Sequence, residues 1–300
     1  MITPVTAFRR VGDLDLLTWP AVEASGADVA VTGRAGGVSS GAYDSLNMGL
    51  TVGDDPERVL ENRRRVAAAL GASLGDFVYA RQVHGTGVRV VGDQDRGSGT
   101  LSVGDAIPGT DALVTTTPGV VLAILTADCV PIVLHDPVAG VLACVHSGWR
   151  GTVARIAAVT VAAMEKLGSR PADIIAGVGP AIDPARYQVG PDVHAAFSAE
   201  AGTASGATAA TVLRPDPAAT PSDPRWLLDL WTANRLVLTE AGLREENVHV
   251  TDIPTGSRIP TGSRIPTGSR PEAAPAFFSD RAERPCGRLA LVARLREASR

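Results

Sequence analysis

The residues of this chain best equipped to do chemistry are two imidazoles and one thiol in three short segments. These are Arg81-Gln82-Val83-His84-Gly85, Thr126-Ala127-Asp128-Cys129-Val130-Pro131 and Val145-His146-Ser147-Gly148-Trp149-Arg150-Gly151. Two histidines and one cysteine can hold Zn²⁺ and leave its fourth tetrahedral position to water or substrate, the pattern of catalytic rather than structural zinc. The candidate ligands His84, Cys129 and His146 lie 45 and 17 residues apart, so no local knuckle unites them and only the fold can. Each also has a plainer reading. A loop histidine usually makes surface hydrogen bonds, and a buried cysteine is usually a small hydrophobe, the role assigned to Cys144. Arg150 stands in a Gly-flanked loop that feeds a helix. Backbone N–H groups, helix dipole and guanidinium could converge there on an anion.

The elements that must position these groups follow from apolar patterning. Short β-branched or apolar runs predict strands at 28–32, 78–80, 88–91, 111–115, 120–126, 130–134, 141–145, 174–178 and 289–295. A helix is expected from Asp54 or Asp55 to about Leu70, with an acidic cap, Pro56 in the first turn and Gly71 as its stop. Apolar spacing predicts further helices over 152–167, 191–200 and 225–241. Strands and helices alternate without a regular βαβ array, so the class is α/β. The stretch 202–223, rich in Ala, Thr and Pro, reads as a mobile loop. In 253–270, Ile-Pro-Thr-Gly-Ser-Arg occurs three times in tandem. Six residues of that kind bury no hydrophobic face, so the repeat reads as an expanded low-complexity loop rather than a solenoid.

Composition narrows the function classes. The 300 residues are 45% apolar and 20% charged, enough for a sizeable core. A net charge of −4 and a pI near 5.8 supply no global field to recruit nucleic acid or an anionic membrane. No apolar run reaches spanning length, and the start, Met1-Ile2-Thr3-Pro4-Val5, lacks the basic and apolar regions of a signal peptide. Three cysteines, Cys129, Cys144 and Cys286, make an odd number without disulfide-like spacing. The expectation is a cytoplasmic protein with thiols free to bind metal.

Nine ordered blocks carry a resemblance. They are Ser45-Leu46-Asn47-Met48-Gly49, Val52-Gly53-Asp54-Asp55-Pro56 with Asn62-Arg63, Gln82-Val83-His84-Gly85, Asp111-Ala112-Leu113-Val114-Thr115, Thr126 to Pro131, His146 to Thr152, Gly179-Pro180 with Tyr187-Gln188-Val189-Gly190, Leu228-Asp229-Leu230 with Ala233-Asn234, and Phe277-Phe278-Ser279. Together they resemble the YfiH or laccase-domain-containing family, formerly called polyphenol oxidases and more recently purine nucleoside phosphorylases. The chain departs from the family at Ala181, Ala185 and Arg186, where cysteines are usual, and at Val250-Thr251, where a Cys-Thr pair is usual.

The resemblance implies one domain spanning 1–300, a layered sandwich of mixed β-sheets flanked by helices, with the repeat as a loop inside it. It implies zinc on His84, Cys129 and His146. It also implies phosphorolysis of adenosine, inosine, guanosine and methylthioadenosine, together with deamination of adenosine. The partners are then purine nucleosides and inorganic phosphate, with no nucleic acid and no membrane, on a monomer or small homo-oligomer. Arg63 and Arg150 are candidates to hold phosphate, and Asn47 and Asp128 to orient sugar or base. Three alternatives stand beside this. A copper-dependent polyphenol oxidase would use the same His₂Cys set. Five histidines in the whole chain are too few for an added trinuclear cluster, although adventitious Cu²⁺ could still oxidise phenols weakly. A Cys–His hydrolase would use Cys129 as nucleophile. A non-enzymatic scaffold would need a fourth protein ligand for its zinc.

Overall fold

The computed structural model describes residues 5–200, 209–256 and 276–297. A seven-stranded and a six-stranded sheet, both mixed, lie face to face, with a helical layer on each outer side. The strand Val121–Thr126 shows why. Val121 and Ala123 pack towards the helix Pro56–Ala69, while Leu122 and Ile124 pack against the second sheet. Alternate side chains point to opposite faces, so a strand buried on both sides reads as an unbroken apolar run. In the second sheet, Ala143 and Val145 of the strand Val141–Ser147 meet the helices Ile156–Glu165 and Leu230–Glu240. Leu142 and Cys144 of the same strand fill the space between the sheets. Cys144 is thus the small hydrophobe expected of it, and burial pushes its thiol pKa far up.

The expected strands are present with small shifts of boundary, as is the helix Pro56–Ala69. Asp55 caps that helix through a bond from the Glu57 N–H, and Gly71 takes φ +62° just beyond it. Other expectations are overturned. The helix expected over 152–167 is two helices, Trp149–Val153 and Ile156–Glu165, split at Arg155 in the left-handed region (φ +59°). The helix expected from 225 begins only at Leu230. Trp226–Leu228 is a strand first, because Asp229 accepts from the Thr232 N–H at 3.0 Å and caps the helix there. In the supposed loop 202–223, residues 201–208 lie outside the described part, but Ala209–Val212 is a helix and Leu213–Pro215 a strand. Buried Val212 and Leu213 anchor both.

The first four residues of the repeat also depart from the loop reading. Pro254–Thr255 pairs in parallel with Ala181–Ile182, and Ile253 packs against the inter-sheet core. The rest of the repeat lies outside the described residues. A hairpin unread in the sequence, Ala7–Val11 with Leu14–Thr18, extends the seven-stranded sheet at one edge.

Candidate metal centre and cavity

The three sequence candidates meet where the two sheets end together. Residues 127–129 carry the chain from Val121–Thr126 in one sheet to Val130–Asp136 in the other, which puts Cys129 at the crossover. His146 lies in the last turnward residues of Val141–Ser147, opposite Pro131 in the neighbouring strand. His84 follows the strand Phe77–Arg81 in a loop, with φ +60°. The donor atoms of His84, Cys129 and His146 all lie within 4.8 Å of one another. The two imidazole rings meet edge to face, with centroids 4.7 Å apart. Two imidazole nitrogens and a sulfur so close together suit a borderline-soft cation.

One carboxylate fixes this geometry, and the sequence reading missed it. Asp111 is fully buried at the start of the strand Ala112–Thr115. Its Oδ1 accepts from His146 Nδ1 at 2.8 Å and from the His84 N–H at 2.9 Å. Its Oδ2 accepts from the Gly85 N–H at 2.8 Å and the Val83 N–H at 3.2 Å. A proton held on Nδ1 leaves the Nε2 lone pair of His146 for a metal, while the loop bonds hold His84 in its strained conformation. Gln82 secures the same loop by exchanging two bonds with the Leu125 backbone, at 2.7 and 2.8 Å. Gly148 is small by necessity, since a Cβ there would lie 2.8 Å from Cys129 Sγ and 3.1 Å from His84 Cδ2. Behind it, Ser147 donates to Asn234 Oδ1 at 2.7 Å and Asn234 Nδ2 donates to Thr152 Oγ1 at 3.2 Å. Those bonds tie the His146 loop to the helix Leu230–Glu240.

The electrostatics match the geometry. Burial alone would raise the Cys129 thiol, but the charge and hydrogen bonding of His146, with a further bond from His84, outweigh it and bring the pKa down to about 6. Burial alone would lower His146, but Cys129 and the Asp111 hydrogen bond raise it to about 9. Without a metal, the pair is a thiolate and an imidazolium at neutral pH.

The donors lie in the wall of a cavity of about 710 Å³. Six arginines border it. Arg284 and Arg288 both pair with Asp280, and Arg281 donates to the Gln188 carbonyl at 3.1 Å. Arg63 is 2% exposed and gives its N–H groups to the carbonyls of Met48, Gly99 and Thr100 at 2.8–3.0 Å. It also stacks on Tyr79, with its guanidinium carbon 3.9 Å from the ring centroid. Arg81 and Arg150 are the two lining arginines whose guanidinium makes no hydrogen bond or ion pair among the described residues.

The sequence candidates therefore divide. Arg150 lines the cavity, its guanidinium 4.3 Å from the Trp149 ring centroid. The helix that it opens has five residues, and the Thr152 N–H is spent on the Gly148 carbonyl, so the guanidinium rather than a helix terminus offers charge there. Asp128 also lines the cavity, at φ +85°. Its carboxylate is already engaged, accepting from the Thr255 hydroxyl at 2.5 Å and the Arg281 N–H at 2.7 Å. Those two bonds make it a brace for the Cys129 loop. Arg63 is corrected from phosphate ligand to loop clamp, because four of its five N–H donors are consumed. Asn47 is corrected too. It is fully buried away from the cavity wall, with Nδ2 donating to Gly49 O and Asp54 Oδ2 and Oδ1 accepting from the Gly49 and Arg288 N–H groups.

A layered, mixed α/β domain with a His-Cys-His donor group at its sheet ends defines the class. The chain belongs to the family described as multi-copper polyphenol oxidoreductase laccase, whose model matches residues 28–296. It is 48% identical to a purine nucleoside phosphorylase of Deinococcus radiodurans over 71% of this chain and 75% of that protein. Adenosine deaminase RL5, from an unknown prokaryotic organism, is 39% identical over 69% of this chain and 76% of its own. The crystal structure of YlmD from Geobacillus stearothermophilus superposes with a TM-score of 0.83 at 35% identity, covering 97% of this chain and all of that one. The mixed α/β single-domain architecture is shared with that structure. Among the described residues, no helix is long and apolar enough to cross a membrane.

Proposed function

We propose that this chain is a zinc-dependent purine nucleoside phosphorylase, acting on adenosine, inosine, guanosine and methylthioadenosine, with adenosine deaminase activity. The observation that carries the reading is the His84–Cys129–His146 donor group in the wall of a cavity bordered by unpaired cationic side chains. The names of the relatives agree with it. These three residues would hold the zinc, and three protein donors leave a coordination position for solvent or substrate. When bound, zinc supplies Lewis acidity, which brings the pKa of water towards neutrality and suits attack at the purine C6. The chain's own groups do the rest. Arg150 holds the inorganic phosphate through charge-assisted bonds while positive charge develops on the sugar. Asp111 fixes the His146 tautomer, and Asp128 braces the Cys129 loop against the segment bearing Arg281.

The family's description points to copper, which would accept the same donors. A laccase also needs a multinuclear cluster. Among the described residues, His84, Cys129 and His146 form the one His, Cys, Asp or Glu group able to hold a metal, so no donors for that cluster are present there.

Metal analysis of protein grown in metal-poor medium, followed by nucleoside assays with and without phosphate, tests the reading. The expected result is about one zinc per chain. Inosine then yields free base and ribose 1-phosphate only when phosphate is present, while adenosine releases ammonia without it. Copper-dependent phenol oxidation with no nucleoside turnover would replace the reading with the laccase one. Turnover that survives chelation but not alkylation of Cys129 would replace it with Cys–His hydrolysis. Zinc with no turnover would leave a scaffold.

A further inference from the structure

We propose that the Tyr187 hydroxyl donates the hydrogen bond that receives the purine as it leaves the sugar, an assignment resting on the phosphorolysis reading above. When the C1′–N9 bond breaks, its electron pair passes into the purine, and N7 becomes the exposed basic atom of the departing ring. A donor positioned there lowers the barrier.

The cavity wall offers few candidates. His84, Cys129 and His146 form the metal group. Asp128 already accepts from Thr255 and Arg281, and Asp280 is paired with Arg284 and Arg288. The Gln82 amide is locked to the Leu125 backbone, and Arg63 is clamped on carbonyls. The Tyr79 and Thr126 hydroxyls are sealed from solvent. Thr51 sits on the exposed rim. Arg81 and Arg150 are exposed, which leaves the Tyr187 hydroxyl and the Trp149 indole N–H as the partly buried donors of the wall with no hydrogen-bond partner among the described residues, and of these the phenol is the more acidic donor.

Its surroundings fit the task. The Tyr187 N–H donates to the Asp183 carbonyl at 2.9 Å, and the Tyr187 carbonyl accepts from the Leu228 N–H at 3.0 Å. The ring faces Arg281, whose guanidinium carbon is 5.3 Å from its centroid. Arg281 is in turn bonded through its N–H to Asp128, the neighbour of Cys129. The ring is therefore held by backbone and packing, and the hydroxyl is the atom left over. Burial raises the phenol pKa, so the O–H is retained at neutral pH.

The step balances with the phenol keeping its proton. A phosphate oxygen forms the new bond to C1′ as C1′–N9 breaks. The electron pair of the broken bond goes to the purine, and the proton of hydrogen phosphate reaches the released base through solvent.

Tyr187→Phe removes one oxygen and leaves the ring on Arg281. Zinc-loaded wild type and variant are compared on inosine and on 7-methylinosine, whose N7 carries a methyl group and a positive charge and needs no donor. The variant should lose about 10²-fold in kcat/KM on inosine and no more than roughly three-fold on 7-methylinosine, the selectivity expected of a lost proton-donating contact. Equal losses on both substrates, or no loss on inosine, would overturn the assignment while leaving phosphorolysis intact. A wild type that does not split inosine in phosphate would overturn both. If the variant lost zinc or thermal stability, wild type alone carries the test. It should prefer inosine strongly over 7-deazainosine, which has no N7 acceptor, and near-equal rates would refute the contact.

Discussion

Replacing Asp111 with asparagine should loosen the metal centre without reshaping the cavity. The side chains have the same size, so packing at this fully buried position is kept. The change is in polarity. Both carboxylate oxygens now accept two bonds each, Oδ1 from His146 and His84, Oδ2 from Gly85 and Val83. An amide has one accepting oxygen, so in either orientation two donors face an NH₂ group. Each stranded buried donor costs about 1–3 kcal/mol, or roughly 2–6 kcal/mol for the two. If the NH₂ points at His146, it also favours the tautomer with its proton on Nε2, the wrong one for a metal. Loss of a carboxylate behind a ligating histidine typically weakens metal binding about 10- to 100-fold, which is about 1.4–2.7 kcal/mol. The remainder should appear as a lower unfolding midpoint. The assay is competition for zinc against a chromophoric chelator, followed by nucleoside turnover at saturating zinc, where activity should partly return because Asp111 acts through His146. An unchanged zinc affinity would refute the argument that this carboxylate organises the site.

Four further outcomes can be checked. Gly148→Ala should abolish zinc retention while circular dichroism stays native, because the added Cβ has no room beside Cys129 and His84. In metal-stripped protein, iodoacetamide should label Cys129 with a midpoint near pH 6, since a depressed pKa leaves the reactive thiolate present above that value and lost below it. A midpoint near the ordinary thiol value of about 8.5 would contradict the His146 pairing. Arg150→Ala should weaken phosphorolysis of inosine about ten- to a hundred-fold and spare ammonia release from adenosine at matched zinc content; equal losses would make Arg150 a support for the loop. Deleting residues 259–270 should leave kinetics and unfolding midpoint nearly unchanged, because loop length alters closure entropy only slowly, and a large drop in midpoint would count against it.

The parts of the fold that the sequence announced are those where one local rule dominates. Asp55, Pro56 and Gly71 bracket a helix by capping chemistry alone, and the runs 121–126 and 141–147 are apolar because both of their faces are covered. The errors fall where local signals compete. Arg155 interrupts an apolar helical pattern with a left-handed residue, and Asp229, read as interior to a helix, is its cap. The hairpin over 7–18 stayed hidden because the strand Ala7–Val11 is partly exposed and carries two arginines among its five residues. The three candidate ligands could be named from the blocks that they sit in. Their convergence could not be read from spacings of 45 and 17, because it depends on where two sheets end. Asp111, Tyr187 and Asn234 stood inside recognised blocks, but a carboxylate, a phenol or an amide acquires its role only from the atoms that it meets. Arg63 and Asn47 made the opposite error, polar types that suggested substrate and turned out to hold backbone carbonyls and loop amides.

The pairing of Pro254–Thr255 with Ala181–Ile182, and the bond from Thr255 to Asp128, has a genetic consequence. The contact is spelled by the first copy of a word written three times in succession. Tandem repeats gain and lose whole units by replication slippage, and each unit here is six codons, so the reading frame survives. Whichever copy is lost or duplicated, Ile-Pro-Thr-Gly still follows residue 252, and the brace on the Cys129 loop is rebuilt from an identical threonine. The threonine that braces the candidate metal group is thus the same residue at any copy number.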